Sequence, residues 1–258
     1  MQTQTTILGS GTCVPSLNRS ACSALVTFDN VVFLLDIGPG TMRRLLETGI
    51  SIFDVTHIGL SHFHPDHTGE LVSFLFANKY PDGRFRQKPL TILGGPGFLS
   101  FYQKLRGIFG DWIDGAGKLE LIEMENTAGK KIFPGFSLQT APVCHQPESI
   151  AFRINDASGN SIVYSGDTDV SEDLVALADS ADILICEAAL PDELKVEGHL
   201  TPSLSGEIAS RASVKKLVLT HLYPECDHVD IEKQCRSTYT GPLEIARDLL
   251  GLTLEGVP

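Results

Sequence analysis

The sequence predicts an α/β protein, and three observations carry the prediction. Strand-like and helix-like segments alternate along the whole chain. Several of the strand-like runs end abruptly in a polar, metal-competent side chain. The densest such cluster sits in a strand-to-helix turn, the place where α/β proteins put their sites.

The elements follow in order. Residues 31–35 read as a strand and 41–48 as a helix stopped by Gly49, a residue suited to a helix end. Residues 55–60 read as a buried strand and 68–78 as a helix. A strand at 90–93 runs into Gly94-Gly95-Pro96-Gly97 and then a helix over 98–107. The stretch 107–117, with Trp112 inside it, reads as a loop over the site. From 119 to 154 the pattern turns β-rich, with strands at 119–124, 136–141 and 150–154. A strand at 161–164, a helix at 171–178, a strand at 182–186, a helix at 203–212 and a strand at 216–220 come next. A helix over 242–250 closes the chain. Both ends share one grammar of strands, a polar strand-end motif and a helix, which predicts two related β/α halves facing each other.

With 258 residues, 42% hydrophobic and 20% charged, the chain is large enough for a substantial core. We read it as a single domain over 1–258. No apolar run reaches the ~18 residues a membrane helix needs. The N-terminus lacks a basic stretch followed by an apolar one, so a cytoplasmic protein is expected. Twenty basic against 32 acidic residues give a net charge of −12, which repels nucleic-acid backbones. The six cysteines (13, 22, 144, 186, 226 and 235) form no CxxC pair and read as reduced core thiols.

The chemistry gathers in Ser61-His62-Phe63-His64-Pro65-Asp66-His67-Thr68-Gly69. Three imidazoles and a carboxylate within six residues cannot share one helix face, where neighbours lie three and four apart. On a tight loop they can converge on a metal. Three further strand-like runs end in similar groups: 138–144 in His145, 162–166 in Asp167 and 217–220 in His221. Hydrolysis at neutral pH needs hydroxide, and a divalent ion lowers the pKa of water to ~7. Two ions need about three ligands each and one bridging carboxylate, and imidazole with carboxylate suits zinc, manganese or iron. His57, inside a strand, and His228, in a polar loop, read as structural.

These residues resemble the metallo-β-lactamase superfamily, whose signature is HxHxDH, and its ribonuclease Z branch most closely. Residues 7–12, Ile-Leu-Gly-Ser-Gly-Thr, are similar to that branch's N-terminal glycine turn, and residues 33–40 to its LLDxGxG segment. Pro142-Val143-Cys144-His145 matches PVxH, and Ser165-Gly166-Asp167-Thr168 matches SGDT. Glu187-Ala188-Ala189 is similar to the HEAT element, Gly198-His199-Leu200-Thr201 to GHST, and Leu219-Thr220-His221 to LTHF. The resemblance implies a four-layer αββα sandwich holding two divalent ions, with zinc foremost. It implies that His62, His64 and His145 hold one ion, that Asp66, His67 and His221 hold the other, and that Asp167 bridges them. It further implies that Asp66 orients or deprotonates the attacking water and that His199 with Glu187 protonates the leaving oxygen. A carboxylate that raises an imidazole pKa fits that role independently. Asp36 would hydrogen-bond a ligand histidine and fix its tautomer.

Departures from the branch narrow the function. The transfer-RNA-binding arm that the bacterial form carries between PVxH and SGDT is absent, because His145 and Asp167 are 22 positions apart. Cys186 replaces the histidine before the HEAT glutamate. Leu222-Tyr223-Pro224-Glu225 follows LTH, where the branch has a serine, an arginine and a tyrosine. We therefore expect a binuclear hydrolase in which a metal-bridging hydroxide attacks a small phosphodiester. Transfer-RNA 3′ processing, an arylsulfatase-like activity and a non-catalytic metal-bearing sensor are the alternatives. Transfer RNA is disfavoured as a partner, and a homodimer stays open because relatives are often dimeric.

Overall fold

The computed structural model describes residues 2–79, 86, 88–114, 119–125 and 127–254. Two seven-stranded sheets lie face to face between two sets of helices. The first sheet is built from β1 (Thr3–Gly9), β2 (Ser23–Phe28), β3 (Val31–Leu35), β4 (His57–Leu60), β5 (Leu90–Gly94) and β6 (Leu119–Glu123), with α1 (Thr41–Glu47), α2 (Pro65–Thr68), α3 (Leu71–Lys79) and α4 (Phe98–Phe109) between them. The second contains β7 (Gly129–Phe133), β8 (Phe136–Pro142), β9 (Ile150–Asp156), β10 (Ser161–Tyr164), β11 (Ile183–Glu187), β12 (Leu217–Thr220) and β13 (Leu243–Ile245), with α5 (Glu172–Leu177), α6 (Pro202–Arg211) and α7 (Ile231–Arg236). The last strand, β14 (Leu250–Leu254), returns to the first sheet.

Strand order is 14-1-2-3-4-5-6 in one sheet and 7-8-9-10-11-12-13 in the other. In each, the first three pairings in that order are antiparallel and the next three parallel. The facing β/α halves read from the sequence are therefore two copies of one strand arrangement, in which β3, β4 and β5 correspond to β10, β11 and β12.

Alternation along the strands produces the layers, since successive side chains point to opposite faces. Phe33 and Leu35 of β3, Ile162 and Tyr164 of β10, and Ile183 and Ile185 of β11 enter the core between the sheets. Leu34 points the other way, onto Leu45, Phe74 and Phe98 of α1, α3 and α4. Val163 and Leu184 likewise meet Leu174, Ile208 and Cys235 of α5, α6 and α7. Among the described residues no helix is long and apolar enough to cross a membrane.

Four expectations need correction. The C-terminal segment is not a helix: Leu243–Ile245 pairs parallel with β12, and Leu250–Leu254 pairs antiparallel with β1. The period-two pattern of Leu250, Leu252 and Leu254 packs onto the central core, and tertiary pairing overrides local helix propensity. The helix after the histidine cluster starts earlier, because Pro65 at its first position pre-sets a helical φ, and it breaks into two pieces. Residues 107–114 are no open loop. They finish α4 and form a 3-10 turn, Gly110–Ile113, tied back by Tyr102 Oη donating to the Ile113 carbonyl at 2.9 Å. Residues 115–117 of that expected loop lie outside the described set. Finally, Cys13 and Cys144 are exposed, while the other four thiols are buried.

Candidate metal centre

The carboxyl ends of the parallel strands in both sheets open onto one cleft. After β4 the chain turns through Ser61 to His67, and after β10 through Ser165 to Thr168. Gly166 has φ +58°, and a Cβ on it would sit 2.5 Å from the Ser61 side chain, so glycine is what lets the two turns touch. Gly38 plays the same part for α2, since a Cβ there would lie 2.0 Å from the Asp66 carbonyl. Ile150 N donating to Ser61 O at 2.9 Å stitches the sheets together at this edge.

Seven predicted side chains meet here in two groups. Ligand-capable atoms of His62, His64, His145 and Asp167 lie within 4.8 Å of one another, as do those of Asp66, His67 and His221. The Asp167 carboxylate stands between them. Its Oδ1 is 3.2 Å from His67 Nε2 and 3.3 Å from His221 Nε2. Its Oδ2 is 3.7 Å from His62 Nε2 and 3.9 Å from His145 Nε2. His221 takes a left-handed backbone conformation, φ +55°, which is uncommon outside glycine and costs about 1–3 kcal/mol where it persists.

The residues fit a divalent ion on the hydrogen-bond accounting alone. His62 Nε2, His67 Nε2, His221 Nε2 and Asp167 Oδ1 are all buried and have no hydrogen-bond partner among the described atoms. Burying polar atoms unsatisfied is costly, so four of them in one cleft, spread over the two groups, mark a place for cations. Protonation equilibria agree. Burial pushes the His62 imidazole down to about 2, which keeps it neutral with a free lone pair. Burial also opposes charge on His67, but Asp167 and Asp36 on its two sides outweigh it and hold its pKa well above the usual value. The proton held there sits where a cation would, and binding a metal would release it. Burial raises the Asp167 carboxyl, yet His221 and His67 overcome this and keep it ionised.

A shell of further groups aims these side chains. Asp36, fully buried, accepts from His67 Nδ1 at 2.6 Å and from Ser61 N, Ser61 Oγ and Tyr164 Oη at 2.7 Å each. The bond to His67 leaves Nε2 as the atom facing the cleft. His145 Nδ1 donates to Gly198 O at 2.9 Å. Asp169 holds that loop, accepting from Gly198 N at 3.0 Å and Lys195 Nζ at 2.7 Å. The aiming roles of Tyr164, Ser61 and Asp169 escaped the sequence reading, although Ser61 heads the histidine motif and the other two border the SGDT motif.

His199 and Glu187 form a separate pair. Glu187, buried at the end of β11, accepts from His199 Nδ1 at 3.1 Å and from Thr168 N at 2.5 Å. Burial disfavours charge on both groups. It raises the Glu187 carboxyl, while for His199 the bond to Glu187 prevails and raises the imidazole. His199 also lies within 4.8 Å of Asp167 and His221 by ligand-capable atoms, so position alone allows it to serve as donor or ligand. Two histidines stand apart: His57 packs among Phe33, Phe133 and Phe136, where burial lowers it to about 4, and His228 is exposed.

A family model described as anti-Pycsar protein Apyc1 matches residues 3–235. Ribonuclease Z 1 of Schizosaccharomyces pombe is 30% identical over 96% of this chain, which spans only 34% of that protein. Ribonuclease Z of Mycobacterium bovis is 30% identical over 95% of both chains. Among solved structures, the metallo-β-lactamase fold protein YhfI from Bacillus subtilis superposes with a TM-score of 0.85 at 22% identity, covering 98% of this chain and 100% of its own.

Proposed function

The chain belongs to the anti-Pycsar protein Apyc1 family, within the ribonuclease Z-like branch of the metallo-β-lactamase superfamily, and is a metal-dependent phosphodiester hydrolase; from that premise we propose that it holds two divalent ions and cleaves small nucleotide-class phosphodiesters. The observation that carries the binuclear reading is the Asp167 carboxylate, with one oxygen toward His67 and His221 and the other toward His62 and His145. His62, His64 and His145 would hold one ion, Asp66, His67 and His221 the second, with Asp167 shared. Ions so placed lower the pKa of water and neutralise charge on phosphoryl oxygens.

The protein groups supply the rest. Asp66 is kept ionised by His221 and His67 despite partial burial, with its pKa lowered to about 2. It can therefore orient a water and accept its proton. His199 has its Nδ1 anchored by Glu187 and offers Nε2 to a leaving oxygen, as a general acid. Tyr164, Ser61 and Asp36 hold the His67 ring in one tautomer.

A small substrate fits better than transfer RNA. The span between His145 and Asp167 is a plain hairpin of β9 and β10, without a protruding arm, and the chain carries −12 net charge. To test the reading, metal content is measured on purified protein, followed by turnover of bis-p-nitrophenyl phosphate, cyclic nucleotides and a precursor transfer RNA, with and without chelator. We expect two ions per chain and chelator-sensitive cleavage of cyclic nucleotides. Cleavage of the precursor RNA alone would replace this reading with 3′ processing, and silence on every substrate with both ions bound would leave a metal-bearing sensor.

A further inference from the structure

We propose that Asp248 is a positioning residue for substrate selection, fixing the 10–20 loop that walls a groove beside Asp66. The inference rests on the phosphodiesterase reading above. Asp248 lies between β13 and β14, where the chain crosses from one sheet to the other. Its side chain is 5% exposed and fully committed. Oδ1 accepts from Ser10 N at 3.0 Å and Ser10 Oγ at 2.9 Å, and Oδ2 from Ser20 N at 2.7 Å and Arg44 Nε at 3.0 Å. One carboxylate thus clamps both stems of the loop, and Gly11 N to Ser20 O at 2.9 Å closes it.

The clamp reaches the cleft through one backbone bond, and Arg19 braces the loop from within. Ser10 O accepts from Leu222 N at 2.9 Å, next to His221. Arg19, within the loop, donates to Ser10 Oγ at 2.9 Å, to Ala246 O at 2.7 Å and to Asp227 at 2.9 Å. The loop's outer residues, among them Val14 and Pro15, face Pro39 and Pro65 across a groove of about 510 Å³ that Asp66 also lines. That volume lies within the ~300–1,000 Å³ range of small-molecule sites. Its walls are mostly apolar and Asp66 is the one site residue that lines it, so its occupant is assigned as the nucleoside that stays on the phosphate. A wall held by hydrogen bonds to one carboxylate is displaced when that carboxylate is lost, and small displacements of a positioning surface cost rate.

The test compares two esters with the same leaving group, thymidine 5′-monophosphate p-nitrophenyl ester and methyl p-nitrophenyl phosphate. In Asp248→Ala the ratio of their kcat/KM values should fall about tenfold, mostly through KM of the nucleoside ester, with metal content unchanged. Amide hydrogen exchange should rise in residues 10–20 and not in 61–67. Ser10→Ala, which removes the Oγ contacts to Asp248 and Arg19 but leaves the other three bonds of the carboxylate, should shift both readouts in the same direction and serves if Asp248→Ala fails to fold. Unchanged exchange in the loop would overturn the clamp whatever the activity. A looser loop with an unchanged ratio would overturn the selection role. A wild-type enzyme silent on both esters would instead overturn the phosphodiesterase reading and the selection role with it, leaving exchange to judge the clamp.

Discussion

Of the seven gathered side chains, the first sheet delivers four from a single stretch after β4, while the second delivers three from the ends of β8, β10 and β12. The strand arrangement of the two sheets is the same, so the difference lies in the loops. In the first half the loop itself brings ligand-capable groups together. In the second, alternate strands of the sheet, with β9 and β11 between them and so about 10 Å apart, bring separate loops to the same edge. A site can therefore be concentrated on one copy of a repeated scaffold and completed by the other.

Substitutions on the two sides can break or sharpen this contrast. The largest effect is expected for Asp167→Ala. A scattered residue that faces both groups should matter more than any one member of the cluster, so bound metal falls toward zero and turnover drops by about 1,000-fold or more. Elemental analysis with a bis-p-nitrophenyl phosphate assay measures both. Retention of two ions would show that the six remaining side chains suffice without a shared carboxylate. His199→Ala should lower turnover about 100-fold with metal content intact. Loss of metal in that variant would add a fourth contributor to the second half.

Asp36→Asn acts through the ligand cluster of the first half, although Tyr164 of β10 also bonds this carboxylate. It takes charge away from the group that orients His67, and metal affinity should weaken by about 10–100-fold in a chelator competition titration. Smallest is the effect of Glu187→Gln on the pH profile. The carboxylate raises His199, so the protonated donor persists to higher pH in the wild type. Without that carboxylate the His199 pKa falls, and the alkaline limb of kcat should move to lower pH. A limb that stays in place would assign that ionisation to another group.

Several elements could be read without coordinates. Residues 31–35 and 161–164 agree with the observed strands to the residue, because continuous apolar runs bounded by turn residues leave little choice. The C-terminal helix failed for the opposite reason. Leu243–Ile245 and Leu250–Leu254 are short, with at most three alternating apolar positions, and only neighbours more than twenty residues away make them strands.

The same division runs through the site. By itself the sequence determined which residue types stop the apolar runs, and so which side chains could bind metal, because strand-end chemistry is local. Only the tertiary structure decided that Asp167 turns one oxygen to each group, that Tyr164 and Ser61 converge on Asp36, and that Asp248 clamps a loop more than two hundred residues away. Those contacts join segments distant along the chain, and their geometry depends on sheet register and on close approaches at Gly166 and Gly38 that no local pattern encodes.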